Sequence, residues 1–188
     1  MDILDMKKEL ARLLVEKSYM EGDFLLSSGQ RSDYYFDCRQ SSLHPQGAWL
    51  IGTLFTDMLR GLKISGVSGM TMGADPLVTA TSLAARAQGL IWPGIIVRKE
   101  AKKHGTASNL EGMANFKPGD TVALLEDVVS TGGSVIKACE SVRAAGLVAT
   151  DVCTVLDREQ GGREALEALG CKLHAIFTRQ ELVSLAKG

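Results

Sequence analysis

Val122-Ala123-Leu124-Leu125-Glu126-Asp127-Val128-Val129-Ser130-Thr131-Gly132-Gly133-Ser134 is the stretch that decides the fold and points to the chemistry. Its four leading apolar residues read as a buried strand. Two carboxylates, Glu126 and Asp127, stand at the carboxyl end of that strand. Small residues and glycines then lead into a helix predicted over residues 134–145 and stopped by Gly146. Glycines and small side chains let backbone N–H groups converge on an anion, and the helix start adds a favourable dipole. The hydroxyls of Ser130, Thr131 and Ser134 add donors. This is a phosphate cradle preceded by two acids able to accept hydrogen bonds from vicinal hydroxyls, which together suit a ribose 5-phosphate. The plainer alternative is a strand-to-helix turn with glycines for geometry and acids for capping. The whole string, directly after four apolar residues, favours the site. No Lys follows the glycines, so it is not a Walker loop, and G-x-G-x-x-G is absent.

Outward from this stretch the chain alternates strands with helices. Strands are predicted over residues 64–70, 91–97, 121–125, 147–156 and 172–177, and helices over 75–88, 134–145 and 164–169. Asp75 reads as an N-cap with Pro76 as the first helical residue. Thr178 and Glu181 form a capping box for a last helix. Alternation of this kind implies an α/β fold with a mostly parallel sheet covered on both faces. Ligands then bind beyond the carboxyl ends of the strands, near the loops after Met70, Val97, Leu125 and Leu156. Before residue 64 the pattern differs. An amphipathic helix is predicted over residues 3–19, strand character around Tyr34-Tyr35-Phe36, and a second helix over 44–60.

At 188 residues the chain fits one domain with a proper core. A formal net charge of -1 predicts no nucleic-acid or membrane partner. The charged N-terminus is no signal peptide, and no apolar run is long enough to span a bilayer, so a cytoplasmic protein is expected. Cys38, Cys139, Cys153 and Cys171 form no C-x-x-C pair and have no histidine at metal-ligand spacing, so free thiols are expected. His44 and His174 read as structural, and Trp49 and Trp92 as core or interface residues.

One basic cluster stands out in this near-neutral chain: Arg98-Lys99-Glu100-Ala101-Lys102-Lys103-His104-Gly105. A solvated charged loop is the bland reading. Its start at the carboxyl end of a strand favours a cationic loop that closes over an anionic leaving group and keeps water out.

The segment 126–134 resembles the PRPP-binding motif of type I phosphoribosyltransferases, with Glu126 where the family usually has Asp. The R-K-E-x-K-x-H-G run resembles the flexible catalytic loop of orotate phosphoribosyltransferases, taken here as residues 98–112. Residues 24–37, with Phe24, Ser28, Gly29, Ser32, Tyr34 and Asp37, are similar to that family's hood segment. Leu156-Asp157-Arg158 is similar to its L-D-R segment. The matches cover nearly the whole chain in family order. Some members carry Lys where this chain has Ser27 and Gly73, which shifts the expected pyrophosphate contact toward the loop. Met72 and Gly73 remain weaker candidates in a short cradle, residues 69–76.

The resemblance implies a type I phosphoribosyltransferase fold in a single domain over residues 1–188, with residues 1–40 and the C-terminal segment forming a hood. It implies transfer of ribose 5-phosphate from PRPP to orotate, giving orotidine 5'-monophosphate and pyrophosphate in UMP biosynthesis. Mg²⁺ would arrive with PRPP and take no direct protein ligand. PRPP would be held by Arg98, Lys99, Lys102, Lys103, His104, Glu126, Asp127, Val128, Val129, Ser130, Thr131, Gly132, Gly133 and Ser134. Orotate would meet Tyr35, Phe36, Ser130 and Arg158. Lys102, His104 and Asp127 would be catalytic. A homodimer sharing the loop across subunits is implied. Two rivals share the cradle: a transferase for purines or other pyrimidines, and a PRPP-sensing regulator that has no need of the basic loop.

Overall fold

The computed structural model describes residues 1–25, 31–100 and 109–187. The central sheet is set by the strands whose side chains are apolar on both faces. β3 (Gly66–Met70), β4 (Gly94–Val97), β6 (Thr121–Val129), β7 (Val148–Asp157) and β8 (Lys172–Thr178) are mutually parallel. A two-residue edge strand, β5 (Leu110–Glu111), runs antiparallel to β4, and the order across the sheet is β5-β4-β3-β6-β7-β8. Val122 and Leu124 feed one buried cluster and Ala123 and Leu125 the other. That alternation is the two-faced burial expected of a parallel strand.

Helices cover both faces. α1 (Ile3–Lys17), α3 (Pro45–Leu59), α4 (Asp75–Ala87) and the last helix, α7 (Arg179–Lys187), pack Leu10, Leu14, Phe55, Leu77 and Leu182 into the first cluster. α5 (Gly133–Ala144) and α6 (Gly162–Ala168) supply Val135, Cys139, Val142 and Leu166 to the second. Within the segment expected to form the hood, β1 (Tyr19–Leu25) and β2 (Arg31–Phe36) make an antiparallel hairpin, followed by a single turn, α2 (Arg39–Ser42).

Several boundaries depart from expectation for physical reasons. α1 stops at Lys17, and Tyr19 opens β1, where it pairs with Phe36. Asp75 is the first helical residue, not the cap. Its carboxylate accepts the Thr71 hydroxyl at 2.8 Å, and Ala74 stands at the N-cap with no side-chain bond. β6 does not end at Leu125. The β-branched pair Val128 and Val129 stays in register with Leu156 and Asp157, so Glu126 and Asp127 are strand residues. The capping box forms as expected, with Thr178 N–H donating to Glu181 at 2.9 Å and Glu181 N–H to Thr178 Oγ1 at 3.3 Å. All four cysteines are free and buried. Trp92 is buried, whereas Trp49 is half exposed on α3. No helix among the described residues is long and apolar enough to cross a membrane.

Candidate active site

The carboxyl ends of β3, β6 and β7 and the end of the hood strand β2 converge on a cavity of about 750 Å³. It brings together Tyr35, Phe36, Lys99, Glu126, Asp127, Val128, Ser130, Thr131, Ser134 and Arg158, together with the weaker candidates Met72 and Gly73. Val129 does not face it. Its side chain is buried in the second cluster, and its carbonyl accepts the Arg158 N–H at 2.8 Å. Gly132 shapes the turn from outside the lining. Its φ of 82° lies in the left-handed region that favours glycine. Gly133 and Ser134 also border an adjoining cavity of about 570 Å³ with Arg98 and Lys99. Lys102, Lys103 and His104 lie outside the described residues, as do Ser27, Ser28 and Gly29.

The two acids differ in environment. Glu126 is only 5% exposed. Ser134 Oγ donates to its Oε2 at 2.7 Å, across the cradle from strand to helix. Burial first, and the neighbouring Asp127 charge second, push the Glu126 carboxyl up to about 8. Asp127 Oδ1 accepts the Val128 N–H at 2.8 Å, and the carboxyl faces the loop after β3. That loop passes so close that a Cβ on Gly73 would stand 2.9 Å from Asp127 Cγ. Glycine there is a matter of space.

Arg158 is held over the cavity from three sides. Its Nη2 donates to Ser32 Oγ at 2.9 Å, and its guanidinium lies 4.4 Å from the Tyr34 ring centroid. Its backbone is tied to Val129. Nε is buried with no hydrogen-bond partner among the described residues. Its neighbour Asp157 is not its ion-pair partner: that side chain is 1% exposed and takes Arg163 at 2.9 Å. Tyr34 carries a second guanidinium, that of Arg179 at 4.1 Å, and stacks on Tyr19 at 5.3 Å. Arg179 also binds Asp33 at 2.8 Å and the Tyr19 hydroxyl at 3.1 Å, which pins α7 to the hood. The Arg179 hydrogen bond holds the Asp33 carboxyl below its ordinary value.

Arg39 and Gln160 also line the cavity, although no motif in the sequence marks either, and so do Asp37, from the hood match, and Thr71, from the short cradle over residues 69–76. A signal exists only for Arg39, a cation two residues after an acid just beyond a strand, and it reads equally well as a surface pair.

No protein-family model matches the chain. An orotate phosphoribosyltransferase of Nostoc sp. is 45% identical over 181 residues, covering 96% of this chain and 87% of the relative. Among solved structures, the Mycobacterium tuberculosis orotate phosphoribosyltransferase in complex with Fe(III) dicitrate superposes with a TM-score of 0.82 at 35% identity, covering 94% of this chain and 98% of that one. The same enzyme in complex with PRPP gives a TM-score of 0.78 at 32% identity, covering 95% of this chain and 99% of that one. With identity of this level along nearly the whole length, and the two acids, the cradle and Arg158 meeting in one cavity, the chain belongs to the orotate phosphoribosyltransferase family.

Proposed function

We propose that the protein transfers the ribose 5-phosphate of PRPP to orotate, giving orotidine 5'-monophosphate and pyrophosphate in UMP biosynthesis. The observation that carries the reading is the cavity itself. It sets Arg158 and the Tyr35-Phe36 edge against the acids and hydroxyls of the segment 126–134. In this reading Ser130, Thr131 and Ser134, with the backbone from Val128 through Gly133, hold the 5-phosphate. Glu126 and Asp127 accept hydrogen bonds from the ribose hydroxyls. Asp127 also favours the positive charge that develops on the ribose as the diphosphate departs. Arg158 meets the orotate carboxylate with its planar fork, and Tyr35 and Phe36 meet the pyrimidine edge. Orotate is already an anion, so no strong base is required.

The donor set fits magnesium. Glu126 and Asp127 stand in the cavity, where their carboxylates can accept hydrogen bonds from water on a magnesium that arrives with PRPP and takes no direct protein ligand. Magnesium is commonly held by one or two carboxylates together with substrate phosphates and water. When bound with PRPP it neutralises diphosphate charge. Lys99, with Arg98 beside it, opens the segment 98–112, and in this reading Lys102, Lys103 and His104 extend the cationic contact to the leaving group. Lys102 and His104 act there as charge stabilisers or as proton donor.

The proposed protein is one phosphoribosyltransferase domain over residues 1–188, cytoplasmic and homodimeric. Its hood comes from residues 1–40 and the C-terminal segment, and its loop serves the neighbouring subunit. Four free, buried thiols suit a reducing compartment. Incubation with PRPP, magnesium and a panel of bases, with products identified by mass spectrometry, tests the reaction. Orotidine 5'-monophosphate is expected. Nucleotides of hypoxanthine, adenine or uracil in its place would move the chain to another base. Mixing inactive Lys102→Ala and Arg158→Ala proteins tests the shared loop: activity returns if loops act across subunits and stays absent if they act within one.

A further inference from the structure

The geometry points to Arg39 as an anion-binding residue of the cavity that meets the diphosphate of PRPP. This rests on the PRPP reading of the cavity and adds to it a cation that the sequence motifs do not contain. Arg39 opens α2, immediately after the hood strand, and its side chain reaches the cavity wall. Asp37 grips it on one side. Nε donates to Oδ1 at 2.8 Å and Nη2 to Oδ2 at 3.2 Å. Among the described residues Nη1 has no hydrogen-bond partner. The guanidinium is therefore fixed in orientation with one donor edge uncommitted among the described residues. A fork held in this way is suited to phosphate oxygens. The side chain is 44% exposed, so a ligand can reach it.

Charge distribution says which part of PRPP it meets. Orotate has Arg158, on the hood side. The 5-phosphate has the cradle at the start of α5. The remaining wall, the loop Thr71, Met72 and Gly73 with Lys99, carries one cation. Arg39 and Asp127 line the same cavity. Gly73 packs against the Asp127 carboxyl. Arg39 thus faces the region that the anomeric diphosphate occupies once Glu126 and Asp127 hold the ribose. With carboxylates at 37, 126 and 127 in the same cavity, a diphosphate there needs cations close by.

Calorimetric binding of PRPP and of ribose 5-phosphate to wild type, Arg39→Ala, Arg39→Lys and Asp37→Asn tests the assignment, because the two ligands differ by the diphosphate. Arg39→Ala is expected to weaken PRPP by about ten- to a hundredfold, the scale of a lost hydrogen bond to a charged group. Ribose 5-phosphate affinity is expected to be unchanged, and orotate KM likewise. Arg39→Lys, which keeps the charge and loses the fork, is expected to fall between wild type and Arg39→Ala. Unchanged PRPP affinity in Arg39→Ala would overturn the proposal, as would an equal loss for both ligands or an Asp37→Asn loss equal to that of Arg39→Ala. Should Arg39→Ala not fold, the Arg39→Lys and Asp37→Asn comparison decides by the same criterion. Wild type that binds PRPP and does not turn over orotate would instead count against the choice of base, leaving Arg39 to be judged on binding.

Discussion

Ser134 Oγ donates a 2.7 Å hydrogen bond to Glu126 Oε2, joining the first turn of α5 to the end of β6 across the phosphate cradle. The bond couples the two halves of the site. In the proposed reaction one end belongs to the hydroxyls that would hold a phosphate, the other to the acids that would meet a ribose. It also gives a nearly buried carboxyl a partner, without which burial would be costly.

Glu126 makes stability depend on pH. Its folded-state value is raised from 4.5 to about 8 by burial first and by Asp127 second. Below 4.5 folded and unfolded states are both protonated there, so the carboxyl's contribution is complete. As pH rises toward 8 the unfolded chain ionises while the folded one resists, so stability falls across that window. Thermal denaturation in the absence of ligand should show wild type losing on the order of a few kcal/mol relative to Glu126→Gln between those limits. Parallel pH profiles for the two proteins would contradict this.

Asp127→Asn should weaken PRPP binding by about ten- to a hundredfold, since it removes charge from the acceptor proposed to meet the ribose. The side chain is only partly buried, so the fold should survive. Calorimetry with a melting curve as control checks both statements.

Arg158→Ala should raise the KM for orotate strongly and leave PRPP affinity little changed. Arg158→Lys should rescue poorly, because a point charge cannot reproduce the bond to Ser32 and the stack on Tyr34 together. Steady-state kinetics with each substrate varied in turn measures the split.

Arg179 ties α7 to the hood through Asp33, Tyr19 and the Tyr34 ring. Arg179→Ala should cost about 1 kcal/mol, the scale of a partly exposed cation–π contact. It should also speed amide exchange in β1 and β2, and mass spectrometry of exchanged peptides reads that locally. Exchange no faster than wild type would mean the hairpin holds itself.

Much of this was legible in the residues. The cradle string and Arg158 sit at the carboxyl ends of strands because apolar runs on either side leave them no other place. The capping box of Thr178 and Glu181 is purely local chemistry, and it reads true. What escaped depends on which partner the folded chain supplies. β1 mixes Glu21, Gly22 and Asp23 with apolar residues and is a strand only because β2 lies beside it. Asp75 carries the signal of a cap but finds the Thr71 hydroxyl. Val128 and Val129 extend β6 because β7 is there to pair with them. Arg39 has no periodicity to betray it, and only the folded chain brings it to the cavity. Lys102, Lys103 and His104 rest on the motif alone.

The central claim is tested most directly by following the ultraviolet absorbance of orotate after PRPP and magnesium are added to the wild-type protein. The account predicts a loss of orotate absorbance that matches the PRPP consumed and stops when PRPP is withheld. Orotate left unchanged, while the folded protein consumes PRPP with another base, would contradict it.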